Sequence, residues 1–301
     1  MDSTRDPFHD GERALQARAG MQARMAEIGP RAIRDHMPDQ HRDFFALLPF
    51  LVVGSVDVDG QPWASVLSGP PGFVQSPDPR TLHVAAQAPA GSPLAAHLRV
   101  GAPLGLLGIQ PHTRRRNRMN GSVTRASEAG FDVEVEQSFG NCPKYIRTRE
   151  AFFFGDDEQP APAQPLAALD DAARALITRA DTLFIASAHA AGVDVSHRGG
   201  APGFVSVGTG DVLTLPDYAG NFFFNTLGNL LLEPRAGLLF IDFDSGDLLQ
   251  VSGRAQIVWE DEALAEALAA HPGAQRLVRI AVSGALRVPG GLPLQWSTTG
   301  P

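Results

Sequence analysis

Short apolar runs, either alternating with polar residues or continuous over strand length, fill most of this chain and are broken by Gly, Pro and Asp. Phe50 to Val56 is rich in β-branched and aromatic residues and ends in the turn Asp57-Val58-Asp59-Gly60, with Trp63 to Leu67 as the return strand of a hairpin. Pro70-Pro71-Gly72 stops that strand, and Thr81 to Ala85, Leu104 to Ile109, Arg116 to Val123 and Phe131 to Val135 continue the sheet. A second series follows at Leu183 to Ala188, Val193 to Ser196, Phe204 to Val207, Val212 to Leu215, Gly237 to Phe243, Leu248 to Trp259 and Leu277 to Val282. Helical spacing is confined to the margins. Leu15, Met21, Met25, Ile28 and Ile33 mark one or two amphipathic helices between Gly11 and Arg34, expected to pack on the first domain. Arg42 to Leu47, Leu166 to Arg179 and Glu262 to His271 read as further helices, the second with Asp170-Asp171 in a first turn that favours negative charge. The pattern predicts a mainly β fold with peripheral helices, an α+β class, built as a barrel in each half.

The two series are copies. Ser55 and Gly60 return as Ser187 and Gly192, Gly105-Leu106-Leu107 as Gly237-Leu238-Leu239, and Gly121 as Gly253, at a constant offset of 132 (187 − 55). Pro71-Gly72-Phe73-Val74 returns as Pro202-Gly203-Phe204-Val205 with a one-residue slip. A period this long belongs to whole domains rather than to a solenoid. Pro160, Pro162 and Pro165 with interspersed Ala mark the linker. The expected organisation is a helical arm over 1–40, a first barrel over 41–158, a linker over 159–165 and a second barrel over 166–301.

Composition narrows the class. A net charge of −8 over 301 residues argues against general nucleic-acid binding, which needs a basic face. No apolar run reaches membrane-spanning length and the charged N-terminus is unlike a secretory leader, so a cytoplasmic protein without membrane contact is expected. Cys142 stands alone, which excludes an intrachain disulfide, and the nine histidines lack paired metal spacing, so no metal is expected.

Candidate chemistry gathers in a few segments. In Asp194-Val195-Ser196-His197-Arg198-Gly199-Gly200, strand alternation sends Asp194, Ser196 and Arg198 to one face, and a guanidinium beside Gly-rich backbone suits a phosphate monoester; the motif alone reads first as a surface turn with a solvated Arg. Asn221, Asn225, Thr226 and Asn229 follow Pro216-Asp217-Tyr218 and offer both donors and acceptors, although Asn at turns and caps is common without function. The first copy carries Arg114, Arg116 and Arg118 at alternate positions, either an anion site or a solvated cationic edge strand. Asn141-Cys142-Pro143-Lys144-Tyr145 places Lys144 and Tyr145 near the end of the first copy, with Cys142 read as a packed small residue.

These residues, with Glu233-Pro234-Arg235 and Gln250-Val251-Ser252-Gly253-Arg254-Ala255, resemble the pyridoxamine 5′-phosphate oxidase-related proteins, whose fold is the FMN-binding split β-barrel. The likeness covers most of Asp181 to Val258, with a weaker echo over Leu48 to Ala126. It implies two tandem split barrels, FMN as cofactor, Arg198 and Asn225-Thr226 near its phosphate, and Ser196 and Gln250 nearer its ring. Such barrels bind flavin between two copies, which implies a homodimer or a pairing of the two barrels within one chain. In the second case Arg116, Arg118 or Lys144 would reach across from the first copy. Oxidases of this kind carry an Arg-Lys pair where this chain has Asn225-Thr226, and Leu292 to Trp296 offers no equivalent of their substrate-binding tail, which puts oxidation of pyridoxamine phosphate in doubt. The expected function is a flavin-dependent oxidoreductase of unknown small-molecule substrate with an external electron donor. The alternatives are a non-catalytic flavin or phosphate-ligand binder acting as sensor or carrier, and a ligand-free assembly module.

Overall fold

The computed structural model describes residues 6–155, 161–190, 192–259 and 262–297. Pro160 of the expected linker, the first residues of the arm and the last of the second barrel lie outside them.

Helices α1 (Asp10–Arg18), α2 (Gln22–Ala32) and α3 (Asp39–Ala46) lead into the first copy. Its strands are β1 (Phe50–Val56), β2 (Pro62–Ser68), β3 (Val74–Asp78), β4 (Thr81–Val84), β5 (Pro103–Gln110), β6 (Arg115–Ser127) and β7 (Gly130–Gly140), with the short helix α4 (Pro93–His97) between β4 and β5. Two short strands, β8 (Glu150–Phe153) and β9 (Gln164–Leu166), connect to α5 (Asp171–Arg179). The second copy then runs β10 (Thr182–His189), β11 (Gly192–Gly199), β12 (Ser206–Val207), β13 (Val212–Tyr218), α6 (Asn225–Leu232), β14 (Arg235–Ile241), β15 (Leu248–Val258), α7 (Glu262–Ala270), β16 (Ala274–Val288) and β17 (Leu294–Ser297).

The duplication is complete at the level of topology. One sheet has the order β2-β1-β5-β6-β7-β4-β3 and the other β11-β10-β14-β15-β16-β13-β12, strand for strand the same path. Register repeats as well: Leu107 pairs with Arg118 as Leu239 pairs with Gln250. Each copy has its own core, around Phe44, Phe45, Leu51, Leu104 and Phe131 in the first and Leu183, Leu213, Leu238, Phe240 and Ile280 in the second.

Several expectations change in detail. The segment with Arg116 and Arg118 is no edge: β6 lies between β5 and β7. Arg114 leaves the alternation because it takes a left-handed conformation, φ 54°, at the end of a turn of 3-10 helix. The helix expected from Leu166 starts at Asp171, since Asp170 caps it by accepting from the Ala173 N–H, while Leu166 ends β9. The arm does not pack on the first copy alone. Phe8, Met25 and Ile33 form one cluster with Phe139 of the first copy and Phe223 of the second.

The copies face each other through β1, β2 and β5 on one side and β10, β11 and β14 on the other. Glycines set this approach. A Cβ on Gly105 would stand 2.8 Å from Asp194 Cα, and one on its counterpart Gly237 would stand 2.3 Å from the Pro62 carbonyl oxygen. The repeated Gly-Leu-Leu motif is therefore an interface motif.

Candidate functional site

Near-twofold pairing creates two equivalent seams, and the sequence treats them differently. At one, β6 of the first copy meets β11 and α6 of the second. Arg118 donates from Nη1 to both oxygens of Asp194 at 3.0 Å and to Asn225 Oδ1 at 3.2 Å. Arg116 donates to His197 Nδ1 at 2.9 Å, which fixes that ring nitrogen as an acceptor. Ser196 Oγ bonds Asp194 Oδ2 at 3.2 Å and Thr226 Oγ1 at 2.7 Å. From β13 and β16, Asp217 lies 3.8 Å from Arg198 Nη2 and 3.1 Å from Arg276 Nε.

All of these side chains except the buried Asp194 line an open cleft of about 610 Å³ that continues into a second lobe of about 460 Å³. Arg118, Arg198, Asp217, Tyr218 and Asn221 are common to both lobes. Arg116, Lys144, Tyr145 and His197 belong to the first lobe, and Ser196, Asn225, Thr226 and Arg276 to the second. Tyr145 from the first copy stacks on Tyr218 from the second, with centroids 4.9 Å apart. Tyr145, Phe222 and Phe224 all take left-handed backbone at φ 62–64°. Bulky residues held there cost about 1–3 kcal/mol each and cluster at functional sites.

The other seam is its counterpart 132 residues away, and it is shut. Val66 stands for Arg198, Ala64 for Ser196, Pro93 and Leu94 for Asn225 and Thr226, and Leu248 for Arg116. Val66, Ala64 and Leu248 are buried in one apolar cluster with Phe50, Leu292 and Leu294. The C-terminal β17 pairs with β8 of the first copy over that seam, and Trp296 meets Phe50 and Phe243 edge-on.

This asymmetry sorts the sequence candidates. Arg116, Arg118, Lys144, Ser196, Arg198, Asn221, Asn225 and Thr226 come together around the open cleft. Gln250 does not: it holds the register position of Arg118 but at the closed seam, where Nε2 donates to the Ala64 carbonyl at 2.7 Å and to Ser65 Oγ at 2.9 Å. Asn229 is likewise structural. It donates to Ser187 Oγ at 3.1 Å, as His97 bonds Ser55 at 2.9 Å in the first copy. His197, Tyr218, Arg276 and Glu12 were missed. His197 and Tyr218 lie inside the segments Asp194 to Gly200 and Pro216 to Tyr218, but neither Arg276 nor Glu12 carries a local signal, because a long strand pairing and a distant helix deliver them.

Electrostatics give the cleft its character. Burial pushes the Arg116 guanidinium down to about 9, with Arg118 and Arg198 adding repulsion. Burial also lowers Arg198, against the pull of Asp217. His197 is held well below its ordinary value by burial and by the surrounding guanidinium groups, so it is neutral. Asp217 is raised by burial despite Arg198 and Arg276. The Nε atoms of Arg116 and Arg118 are buried without a hydrogen-bond partner. Arg116, Lys144, Arg198 and Arg276 thus face a cleft in which Asp194 is already committed to Arg118. A negatively charged ligand would relieve that imbalance, and the α6 N-terminus, which has no side-chain cap, sets the first N–H groups of a helix, without intrahelical acceptors, beside Asn225 and Thr226.

Fold and site together define a tandem split β-barrel protein with a cationic cleft between its two copies. The family model described as pyridoxamine 5′-phosphate oxidase matches residues 37–163 and again residues 169–289, and the chain belongs to that family. No curated protein matches it significantly. Among solved structures it is similar to HupZ of Group A Streptococcus, at 14% identity over 44% of this chain and 99% of that one, TM-score 0.34. It is also similar to an FMN-binding protein of Syntrophomonas wolfei, at 12% identity over 38% and 82%, TM-score 0.31. The heme storage protein HutZ of Vibrio cholerae matches at 17% over 41% and 96%, TM-score 0.30. Among the described residues no helix is long and apolar enough to cross a membrane, and no group of His, Cys, Asp and Glu is arranged to hold a metal ion.

Proposed function

We propose that the open cleft holds FMN and that the protein is a flavin-dependent oxidoreductase acting on a small molecule. The observation that carries this reading is the set of under-neutralised guanidinium groups, Arg116, Arg198 and Arg276, around a two-lobed cleft at the barrel seam. Arg198, Asn225 and Thr226, with the first N–H groups of α6, would hold the phosphate; Ser196, expected nearer the ring, bonds Thr226 Oγ1 at 2.7 Å and is placed here at the phosphate end. Arg116, Lys144 and Asn221 would face the ring system. The bound flavin would supply hydride or electron transfer, so no protein nucleophile is required. The chain's own contribution is to orient, to keep His197 neutral as a hydrogen-bonding group, and to favour the more negative form of whatever it binds. The reductant comes from outside the chain. We place the protein in the cytoplasm, where Cys142, a free thiol, stays reduced.

An absorbance spectrum of the purified protein and a fluorescence titration with FMN test the reading. Binding of FMN is expected to weaken roughly ten- to hundredfold in Arg198→Ala and in Arg116→Gln, the cost of one charge-assisted hydrogen bond at about 1.5–3 kcal/mol. Unchanged affinity in both variants, or a protein that takes up heme and ignores FMN, would refute it. A yellow protein that no nicotinamide nucleotide or other donor reduces would leave flavin binding standing and remove the oxidoreductase.

A further inference from the structure

The N-terminal arm reaches the cleft through one buried carboxyl group. α1 lies so close to α6 that a Cβ on Gly11 would stand 2.2 Å from the Gly228 carbonyl oxygen, and one on Gly228 would stand 2.7 Å from the Glu12 nitrogen. This contact places Glu12 beside the first turn of α6, with its side chain 5% exposed. Glu12 Oε2 accepts from the His9 N–H at 2.9 Å, closing the cap of α1. Oε1 accepts from Asn225 Nδ2 at 2.5 Å, and Asn225 Oδ1 in turn accepts from Arg118 Nη1 at 3.2 Å. One amide is therefore held between a carboxyl group on the arm and a guanidinium on the cleft floor.

An amide side chain has a donor end and an acceptor end. An ionised Glu12 demands the donor end and leaves Oδ1 toward Arg118 and the cleft. A protonated Glu12 carries an O–H that needs an acceptor, and Asn225 supplies one by turning over, which moves its NH₂ to the cleft side. We propose that Glu12 is a positioning residue whose protonation decides whether Asn225 presents an acceptor or a donor to the anion site, so that binding of an anionic ligand takes up a proton at Glu12. The inference rests on the anionic-ligand reading of the cleft. The proton comes from solvent and resides on Glu12 Oε1; the hydrogen bond from Arg118 Nη1 to Asn225 Oδ1 is given up, Arg118 keeping both bonds to Asp194, and no covalent bond changes other than the new O–H.

The surroundings make this change accessible. Burial pushes the Glu12 carboxyl up to about 8, Asp194 adds to the rise, and the bonds from His9 and Asn225 and the charge of Arg118 oppose it. The charged and titratable groups that face it are Arg118 on β6, Asp194 on β11, and His9 at its own helix end, whose ring is tilted at 36° against His189 of β10 with centroids 4.0 Å apart. α6 contributes no charge, and α2 turns Arg24, Glu27 and Arg31 to solvent.

The test needs no ligand in its first arm. In ¹⁵N-labelled protein the side-chain amide signals of Asn225, identified by their loss in Asn225→Ala, are followed from about pH 6.5 to about pH 9. They are expected to shift with a single midpoint in the wild type and to stay fixed in Glu12→Gln, which keeps an acceptor for the cap. In the second arm, FMN affinity should fall by up to about tenfold per pH unit above that midpoint, with the dependence lost in Glu12→Gln, whose residual profile reports FMN's own titration. Static Asn225 signals in the wild type, or an equal shift in Glu12→Gln, overturn the proposal. Moving signals with no FMN binding at any pH would overturn the flavin reading and leave the amide switch in place.

Discussion

Replacing Gly237 by Ala is the sharpest test of how the two copies meet. Gly237 lies within β14 and Gly105 within β5, and neither has a positive φ, so alanine fits the backbone at both. On that ground alone the change would stabilise by about 0.4–1 kcal/mol, through the unfolded chain. The seam predicts the opposite sign. At Gly237 the new methyl would stand 2.3 Å from the Pro62 oxygen and 2.7 Å from Trp63 Cα, against 3.4 Å for ordinary contact, so β2 must retreat by about 1.1 Å (3.4 − 2.3). At Gly105 the nearest atom is Asp194 Cα at 2.8 Å, a shortfall of about 0.6 Å (3.4 − 2.8). Both obstacles are backbone and cannot rotate away. Overpacking of this kind costs about 1–3 kcal/mol, which places Gly237→Ala near the upper end and Gly105→Ala near the lower. The consequences for ligand differ too. Gly105→Ala displaces Asp194, the partner of Arg118 in the open cleft, whereas Gly237→Ala disturbs the closed seam. Urea denaturation should give a lower midpoint for Gly237→Ala than for Gly105→Ala, and FMN affinity should drop in Gly105→Ala alone. A raised midpoint in Gly237→Ala would show that the copies are not packed backbone to backbone, and the assignment of open and closed seams would fall with it.

Two further outcomes follow from the same structure. Calorimetric titration should give one FMN per chain, because Val66, Leu94 and Leu248 fill the counterpart of the open cleft; a stoichiometry of two would refute that assignment. Burial, with Arg34 and Arg115, lowers His41 to about 4 from an ordinary 6.5, so the unfolded chain takes up the proton first. Its contribution to stability is intact above about pH 6.5 and lost as pH falls through about 4, and urea midpoints should decline over that window in the wild type and less in His41→Gln.

The fold was legible because its signals are local. Alternation, Gly and Pro punctuation and the constant offset need a few residues each, and they mark most strands of both sheets; β3 (Val74–Asp78), with prolines on either side, and β9, inside the Pro-rich linker, are the exceptions. α4 escaped because five residues starting at a proline carry no helical period, although the offset from Asn225 to Pro93 would have placed it. The site was legible where it sits on one motif, as with Ser196 and Arg198 on β11, or where charge is concentrated, as with Arg116 and Arg118 on β6. It was illegible where position depends on pairing between copies. Gln250 and Arg118 occupy the same place in their sheets, and only the neighbour across each seam decides that one faces the cleft and the other ties down β2. Glu12 enters through helix contact across more than two hundred residues, for which a sequence offers no period.

Fusion of the copies explains why the seams could diverge. In a symmetric pair of separate chains each substitution appears at both sites, so a residue that closes one closes the other. Within one chain Arg198 and Val66 are free to differ, as are Arg118 and Gln250. The open seam carries the unfavourable terms: buried guanidinium groups, a neutral histidine and aromatic residues in left-handed backbone. The closed seam carries compensating ones, since Val66, Leu248, Leu292 and Leu294 are withdrawn from water and β8 joins β17 across the copies. Restoring polarity there, by Val66→Arg with Leu248→Arg, would therefore forfeit the apolar contacts that hold the strained cleft together, and would open no second site while Pro93 and Leu94 remain at its helix end.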